Sequence, residues 1–289
     1  MKKITVIGLG GMSCFLKVDH FHAEGETVKA ESIFFEAGGK GYNQAVAAAR
    51  LGAKVSFIGG FGSDANALFC KSALEKDGVE PLFCTKTGAD TAYACILTDA
   101  EGRNRVTVYR GAAEQLNEQD VYGLEKEIAN SDLLMLQLEV NDCVLKSAFE
   151  IAKKHGVTVV FNPAPARMID KKFLAGSYVI TPNEQEVKTL FGEDFVSGLR
   201  ECGIKRAVIT LGGDGALVFE DGATTHVPPV VVNVKDTTGA GDCFNAALAV
   251  AITEGKSLVE AAEFATKAAA LSVSKEHVID ALPFRSELW

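Results

Sequence analysis

Residues 133–163 read LLMLQLEVNDCVLKSAFEIAKKHGVTVVFNP. A short apolar run, Leu133-Leu134-Met135-Leu136, gives way to helical spacing over residues 141–155. A β-branched run, Val157-Thr158-Val159-Val160-Phe161, follows and stops at Asn162-Pro163. Short apolar strands separated by amphipathic helices are the pattern of a parallel sheet covered on both faces. The alternation continues downstream. Tyr178-Val179-Ile180 is a strand stopped by Pro182, residues 183–190 a helix, and Ala207-Val208-Ile209-Thr210-Leu211 a strand ending at Gly212-Gly213. Upstream lie Ile4-Thr5-Val6-Ile7, an Ala/Gly-rich helix over about residues 41–51 and a strand at 55–58. The sequence predicts an α/β fold with a doubly wound, mostly parallel sheet.

Two stretches break this rhythm. Residues 14–36 and 92–109 have β-type spacing with no helix between strands, and Glu101-Gly102 fits a hairpin turn. They predict a small β-sheet that projects from the α/β body as a lid. With no linker, repeat or low-complexity tract, residues 1–289 read as one α/β domain carrying that lid.

Bulk properties exclude several function classes. The 289 residues are 47% hydrophobic, enough for a substantial core. The net charge of -9, without a Lys/Arg cluster, argues against nucleic-acid binding. A small anionic ligand stays open, because helix N-termini hold phosphate without net positive charge. No apolar run reaches the roughly 18 residues of a membrane span. Met1-Lys2-Lys3 leads straight into a strand pattern with no signal-peptide h-region, so the expected location is cytoplasmic. Seven cysteines without a CxxC pair fit a reduced compartment.

The N-terminal run ITVIGLGGMSCF, residues 4–15, resembles the start of a dinucleotide-binding domain. GxGxxG from Gly8 needs glycine at Ser13, and a helix should follow. Instead Cys14-Phe15-Leu16-Lys17-Val18 alternates like a strand. That reading fails, and no GxxxxGK[ST] phosphate loop is present either.

Residues 230–244 read VVVNVKDTTGAGDCF. A strand-type run, Val230–Lys235, enters a Gly239-Ala240-Gly241 turn and leaves through a helix over about residues 242–254. Amides at such a turn are unpaired and carry the positive end of the helix dipole, so they suit a phosphate or a transferring phosphoryl group. Asp242 in the first turn is either a helix cap or a base placed to take a proton from an attacking hydroxyl.

DTTGAGDCFNAAL, residues 236–248, resembles the C-terminal signature of the ribokinase-like (PfkB) carbohydrate kinases. GGKGYNQA, residues 38–45, resembles the N-terminal signature. Gln137-Leu138-Glu139, Asn162–Ala166, Thr181–Glu184 and Ile209–Gly212 fall between them in matching order. The similarity spans the chain and is strongest to ribokinases. It implies a three-layer fold with a β lid, a lid-mediated homodimer, and ATP-dependent phosphoryl transfer to an alcohol of a small sugar-like acceptor.

The resemblance also implies roles. Asp242 would be the base, and Gly239, Ala240 and Gly241 the anion hole. Asn183 and Glu186 match an NxxE motif that organises Mg2+ and phosphate through water. Thr210, Gly212 and Gly215 would contact nucleotide. Asp236 and Thr238 match part of a monovalent-cation site, suited to K+. Gly38, Gly39, Lys40, Asn43 and Glu139 would line the acceptor pocket, where glycines permit close approach and Asn43 both donates and accepts.

The family's sugar-binding Asn and Asp fall on Gly11 and Ser13, which argues against ribose in its usual pose. Residues 274–280 also depart from the family's Gly-Ala turn. A nucleoside acceptor, of pseudouridine or adenosine type, is the alternative within the family, and a catalytically silent sugar-binding regulator the alternative outside it. His20 and His22, placed on one strand, share a face as a two-ligand metal site requires. Lacking a third ligand nearby, they read as exposed lid residues, and Arg103 and Arg105 as solvated.

Overall fold

A computed structural model describes residues 2–288. The chain begins β1 (Lys3–Ile7), β2 (Gly11–Val18), β3 (Ala30–Gly38), α1 (Lys40–Arg50), β4 (Lys54–Phe61), α2 (Ala65–Lys76), β5 (Val79–Thr85), β6 (Ala92–Thr98), β7 (Asn104–Tyr109). Helices α3 (Gly111–Glu114), α4 (Glu118–Gly123) and α5 (Glu125–Ala129) lead to β8 (Leu133–Gln137), α6 (Asp142–His155), β9 (Thr158–Asn162), α7 (Lys171–Gly176), β10 (Val179–Ile180). The chain ends with α8 (Glu184–Phe191), α9 (Phe195–Glu201), β11 (Arg206–Thr210), β12 (Ala216–Glu220), β13 (Ala223–Val227), α10 (Ala240–Thr253) and α11 (Leu258–Val273).

The main sheet has nine strands in the order β13-β12-β11-β10-β9-β8-β1-β4-β5. From β11 to β5 every pairing is parallel, and β12 and β13 close the far edge antiparallel. Alternate residues serve opposite faces. Ile4, Val6, Leu133 and Met135 enter one core cluster with α1, α10 and α11, while Ile7, Leu134 and Leu136 enter another with α6. Burial on both faces explains why these strands lack polar alternation. The result is a three-layer α/β fold.

Helix α10 is an alanine ridge. Ala246, Ala247, Ala249 and Ala251 are fully buried, and their small side chains bring α10 close to its neighbours in the core. Gly8, at the end of β1, meets Gly41 of α1 in the same way. A Cβ on Gly8 would lie 2.7 Å from Gly41 Cα. These N-terminal glycines therefore seat a helix on the sheet.

The smaller sheet has four strands in the order β3-β2-β6-β7. Its first strand starts at Gly11 and its second runs to Gly38, so it extends beyond residues 14–36 at both ends. Residues 19–29 form no strand. His20 and His22 accordingly share no strand; His20 instead bridges Asp19 and Glu26 at 3.1 and 3.0 Å. Arg103 is more than a solvated side chain. It closes the β6–β7 hairpin by donating to the buried Asp99 carboxylate, and Arg105 lies 4.4 Å from the Phe21 ring centroid.

The run at residues 230–235 is not a strand. Val231 is 93% exposed, and the segment is held by Lys235 N–H donating to Val273 O at 2.8 Å. Its valines imitate a strand, but β13 already ends the sheet at Val227. No helix among the described residues is long and apolar enough to cross a membrane.

Candidate active site

The candidate site lies at the carboxyl ends of the parallel strands, where open α/β sheets place ligands. Gln137 closes β8, Asn162 closes β9, Thr181 follows β10 and Thr210 closes β11. The N-termini of α1 and α10 converge on the same edge.

Asp242 does not cap α10. The N-cap is Gly239, in the left-handed region at φ 76°, and no side chain caps the helix. The Asp242 carboxylate instead accepts from Asn43 Nδ2 at 2.9 Å and Gln44 Nε2 at 3.1 Å, both on α1. Burial pushes its pKa above the ordinary carboxylate range, against the pull of Lys40 and these two amides. Beside it, Cys243 N–H makes the first helical bond to Gly239 O at 2.9 Å and Ala240 N–H reaches Thr237 O at 3.3 Å. The amides of Gly241 and Asp242 have no acceptor among the described residues, leaving a donor pair at the positive end of the helix.

A buried amide network fixes the carboxylate. Gln137 Nε2 donates to Gln44 Oε1 at 2.6 Å, and Asn162 Nδ2 to Thr181 O at 2.7 Å. Thr181 Oγ1 donates to Asn245 Oδ1, whose Nδ2 returns to Gly241 O at 2.7 Å. Among the described residues, two buried side-chain oxygens remain unpartnered, Asn43 Oδ1 and Gln137 Oε1. Gln137 Oε1 is packed against Gly8 and Gly41, whereas Asn43 Oδ1 lies beside Gly38 of the acceptor cavity.

A cavity of about 380 Å³ is lined by Gly11, Ser13, Gly38, Gly39 and Glu139, the last near enough to Asp242 to feel its charge. Glu139 accepts from the Lys40 backbone N–H at 2.9 Å, and burial raises its pKa. Of the expected pocket residues, Gly11, Ser13, Gly38, Gly39 and Glu139 line this cavity, while Lys40 and Asn43 lie outside its lining and Asn43 reaches Asp242 instead. Gly11 is fixed by packing, since a Cβ there would run into the Ala92 carbonyl of the neighbouring β6.

A second group lies at the start of α8. Asn183 and Glu186 form a capping box on α8, each accepting the other's backbone N–H at 2.8 Å. Glu186 is nonetheless near enough to Asp242 and Lys40 for both to act on its pKa, which burial raises. Asn183 bridges to Thr210 across the strand ends. At Gly212, φ is 56° and a Cβ would meet nothing within 4 Å. Gly215 differs: a Cβ there would strike the Val227 carbonyl, so its backbone is packed against the sheet edge. Asp236 Oδ1 accepts from Thr238 N–H at 2.9 Å.

The chain matches the model of the pfkB family carbohydrate kinases over residues 1–285. It belongs to that family. A ribokinase of Haemophilus influenzae is 37% identical over 296 residues, 99% of this chain and 97% of its own. A ribokinase of Bacillus subtilis is 34% identical over 293 residues, 100% and 98% of the two chains. An Arabidopsis thaliana ribokinase solved with ribose and ATP superimposes with a TM-score of 0.92 at 29% identity, covering 100% and 98%. As a PfkB kinase the protein is an ATP-dependent carbohydrate kinase, a phosphotransferase with an alcohol group as acceptor.

Gln44, Gln137, Asn162, Thr181 and Asn245 had no role assigned from sequence. Their signal was available: polar residues at the ends of apolar strands or inside an alanine-rich helix are buried only when hydrogen-bonded.

Proposed function

We propose that Asp242 takes the proton from the acceptor hydroxyl as its oxygen attacks the γ-phosphorus of ATP. The new O–P bond forms as the bond to the β–γ bridging oxygen breaks, and ADP leaves. The observation that carries this reading is the position of Asp242. It is buried, held by two α1 amides and free of any capping role, beside unpaired amides at a helix N-terminus. Gly239, Ala240 and Gly241 form the turn of the anion hole, whose unpaired donors are the amides of Gly241 and Asp242, and fixed dipoles there stabilise charge as it develops.

Gly11, Ser13, Gly38, Gly39, Lys40, Asn43 and Glu139 bind the acceptor. Asn183, Thr210 and Gly212 face the nucleotide, and Gly215 holds its loop against the sheet. Glu186, with Asn183, would organise a Mg2+ through water, in a site of the kind that uses only one or two carboxylates beside phosphate and water. When bound, Mg2+ neutralises charge on the transferring phosphates. Asp236 and Thr238 belong to a monovalent-cation site that suits K+.

The whole chain works as one α/β domain whose smaller sheet is the lid. That sheet exposes Ile33, Phe35, Val106 and Val108, which supports a homodimer formed through the lid. The unpaired cysteines support a reducing, cytoplasmic setting. No feature of the pocket favours a nucleoside acceptor, and retention of Asp242 weighs against a silent regulator.

The test is ADP release with ATP, Mg2+ and K+ over pentoses, hexoses, sugar acids, sugar phosphates and nucleosides. Asp242→Asn should lose at least about 1000-fold in kcat while still binding the acceptor, as expected when a general base is lost. Near-wild-type turnover in that variant would overturn the assignment.

A further inference from the structure

The acceptor pocket carries two guanidinium groups that the phosphoryl transfer does not use. Arg110 stands between β7 and α3, and Arg167 follows β9; both line the 380 Å³ cavity. They are anchored to successive carbonyls of one turn. Arg110 Nη2 donates to Glu139 O at 2.5 Å, and Arg167 Nη2 to Val140 O at 3.2 Å.

Their charges are balanced differently. Arg167 pairs with Asp142 at 2.6 Å at the pocket mouth. Arg110 takes part in no ion pair among the described residues; its single hydrogen bond goes to a peptide oxygen. The one carboxylate in the cavity wall, Glu139, accepts from Lys40 N–H at 2.9 Å and lies near enough to feel the Arg110 charge, without forming an ion pair with it. The wall formed by Gly11, Ser13, Gly38 and Gly39 contributes no charge. Arg110 is therefore a partly desolvated cation with free donors, set in a cavity of ligand size. A guanidinium fork in such a place matches a carboxylate or phosphate through paired N–H donors. A neutral sugar would leave those free donors without an anion in direct contact.

We propose that the acceptor carries an anionic substituent, carboxylate or phosphate, gripped by Arg110 with Arg167 at the mouth, while a hydroxyl elsewhere on it faces Asp242. This rests on the kinase reading above. Ser13 follows the same logic, since a carboxylate at that position would repel the anion.

The experiment compares ribose, glucose and fructose with gluconate and glucuronate, and with ribose 5-phosphate and fructose 1-phosphate, in ADP release by the wild-type enzyme. One anionic set should exceed its neutral counterparts by about 100-fold or more in kcat/KM. Its KM should rise with ionic strength, and the winning set tells carboxylate from phosphate. Ser13→Asp, which leaves the Arg110 anchor intact, should raise the KM of the anion at least about tenfold, and Arg110→Lys should retain more of the preference than Arg110→Gln. Calorimetry of the same compounds with Asp242→Asn measures binding apart from turnover.

Neutral sugars turning over as well as their anionic counterparts, with Asp242 required, would overturn the proposal and leave the kinase reading standing. Anion binding that Ser13→Asp weakens, without any Asp242-dependent ADP release, would uphold the pocket assignment and overturn the kinase reading. Neither binding nor turnover of any anion would overturn the proposal outright.

Discussion

Gln44 Nε2 reaches Asp242 Oδ1 at 3.1 Å, joining α1 to α10 across 198 residues of sequence. With Asn43 Nδ2 on the other oxygen at 2.9 Å, it leaves the carboxylate one fixed orientation. Gln44 is itself held by Gln137 at 2.6 Å, so one side of the base is positioned by a relay of two amides that line no part of the acceptor cavity.

Gln44→Met should therefore lower kcat while moving the acceptor KM little. A hydrogen bond to a charged group contributes about 1.5–3 kcal/mol, which corresponds to roughly 10- to 150-fold. The Gln44 amide also lowers the Asp242 pKa. Its loss should shift the acid limb of the kcat/KM–pH profile to higher pH. A fall in kcat with an unmoved limb would mean that Gln44 acts only through packing.

Burial raises the Asp242 pKa, so ionisation of this group opposes folding. Its contribution to stability is intact below the unfolded value of about 3.9 and is lost as pH rises through the raised folded value. Asp242→Asn, which cannot ionise, should match the wild type near pH 3–4 and exceed it near pH 8, by roughly 2–4 °C in Tm for each kcal/mol recovered. The orphaned Asn43 Oδ1 can accept from the new amide after a side-chain flip. Thermal melts across pH check this, and a variant that is less stable at pH 8 would refute it.

At Gly11 the obstacle to a larger side chain is backbone. A Cβ would collide with the Ala92 carbonyl in the parallel β2–β6 pairing. Gly11→Asn should consequently fail to create a ribose site and should lower Tm, because β6 must move. Overpacking of this kind costs about 1–3 kcal/mol. Tight ribose binding by Gly11→Asn with unchanged Tm would show that the strand gives way freely.

The parallel sheet and the Asp242 turn were legible in the sequence because their signals are local. Apolar runs between helical periods give the strands, and glycines before a helix give the turn. What was not legible depends on distant partners. The valines of residues 230–235 have β propensity, but no strand lies beside them to pair with. Asn183 and Glu186 read as metal chemistry and also satisfy a capping box, two uses of one spacing. Gln44 and Gln137 gain meaning only when β8 and α1 meet. Arg110, one residue past the lid stretch, carried no sequence signal and gains meaning only when the Glu139 turn folds against it.

The C-terminal segment, where the sequence departs from its family, is tied down from the core. Arg50 pairs with Asp77 at 2.7 Å, with only 10% and 12% of the two side chains exposed, and donates to the carbonyls of Ile279 and Leu282. Residue 279 also donates its backbone N–H to Glu36 of β3 at 3.2 Å, linking this segment to the smaller sheet. Asp77→Asn should leave Arg50 buried without its counter-ion. Removing one partner of a buried pair costs about 3–5 kcal/mol, so the urea midpoint should fall markedly. Arg50→Met removes charge and carbonyl donors together, and should in addition loosen residues 279–282, raising their amide hydrogen exchange more than Asp77→Asn does. Equal exchange in the two variants would show that the segment is held by Val278, Ala281 and Leu282 in the core and not by the guanidinium.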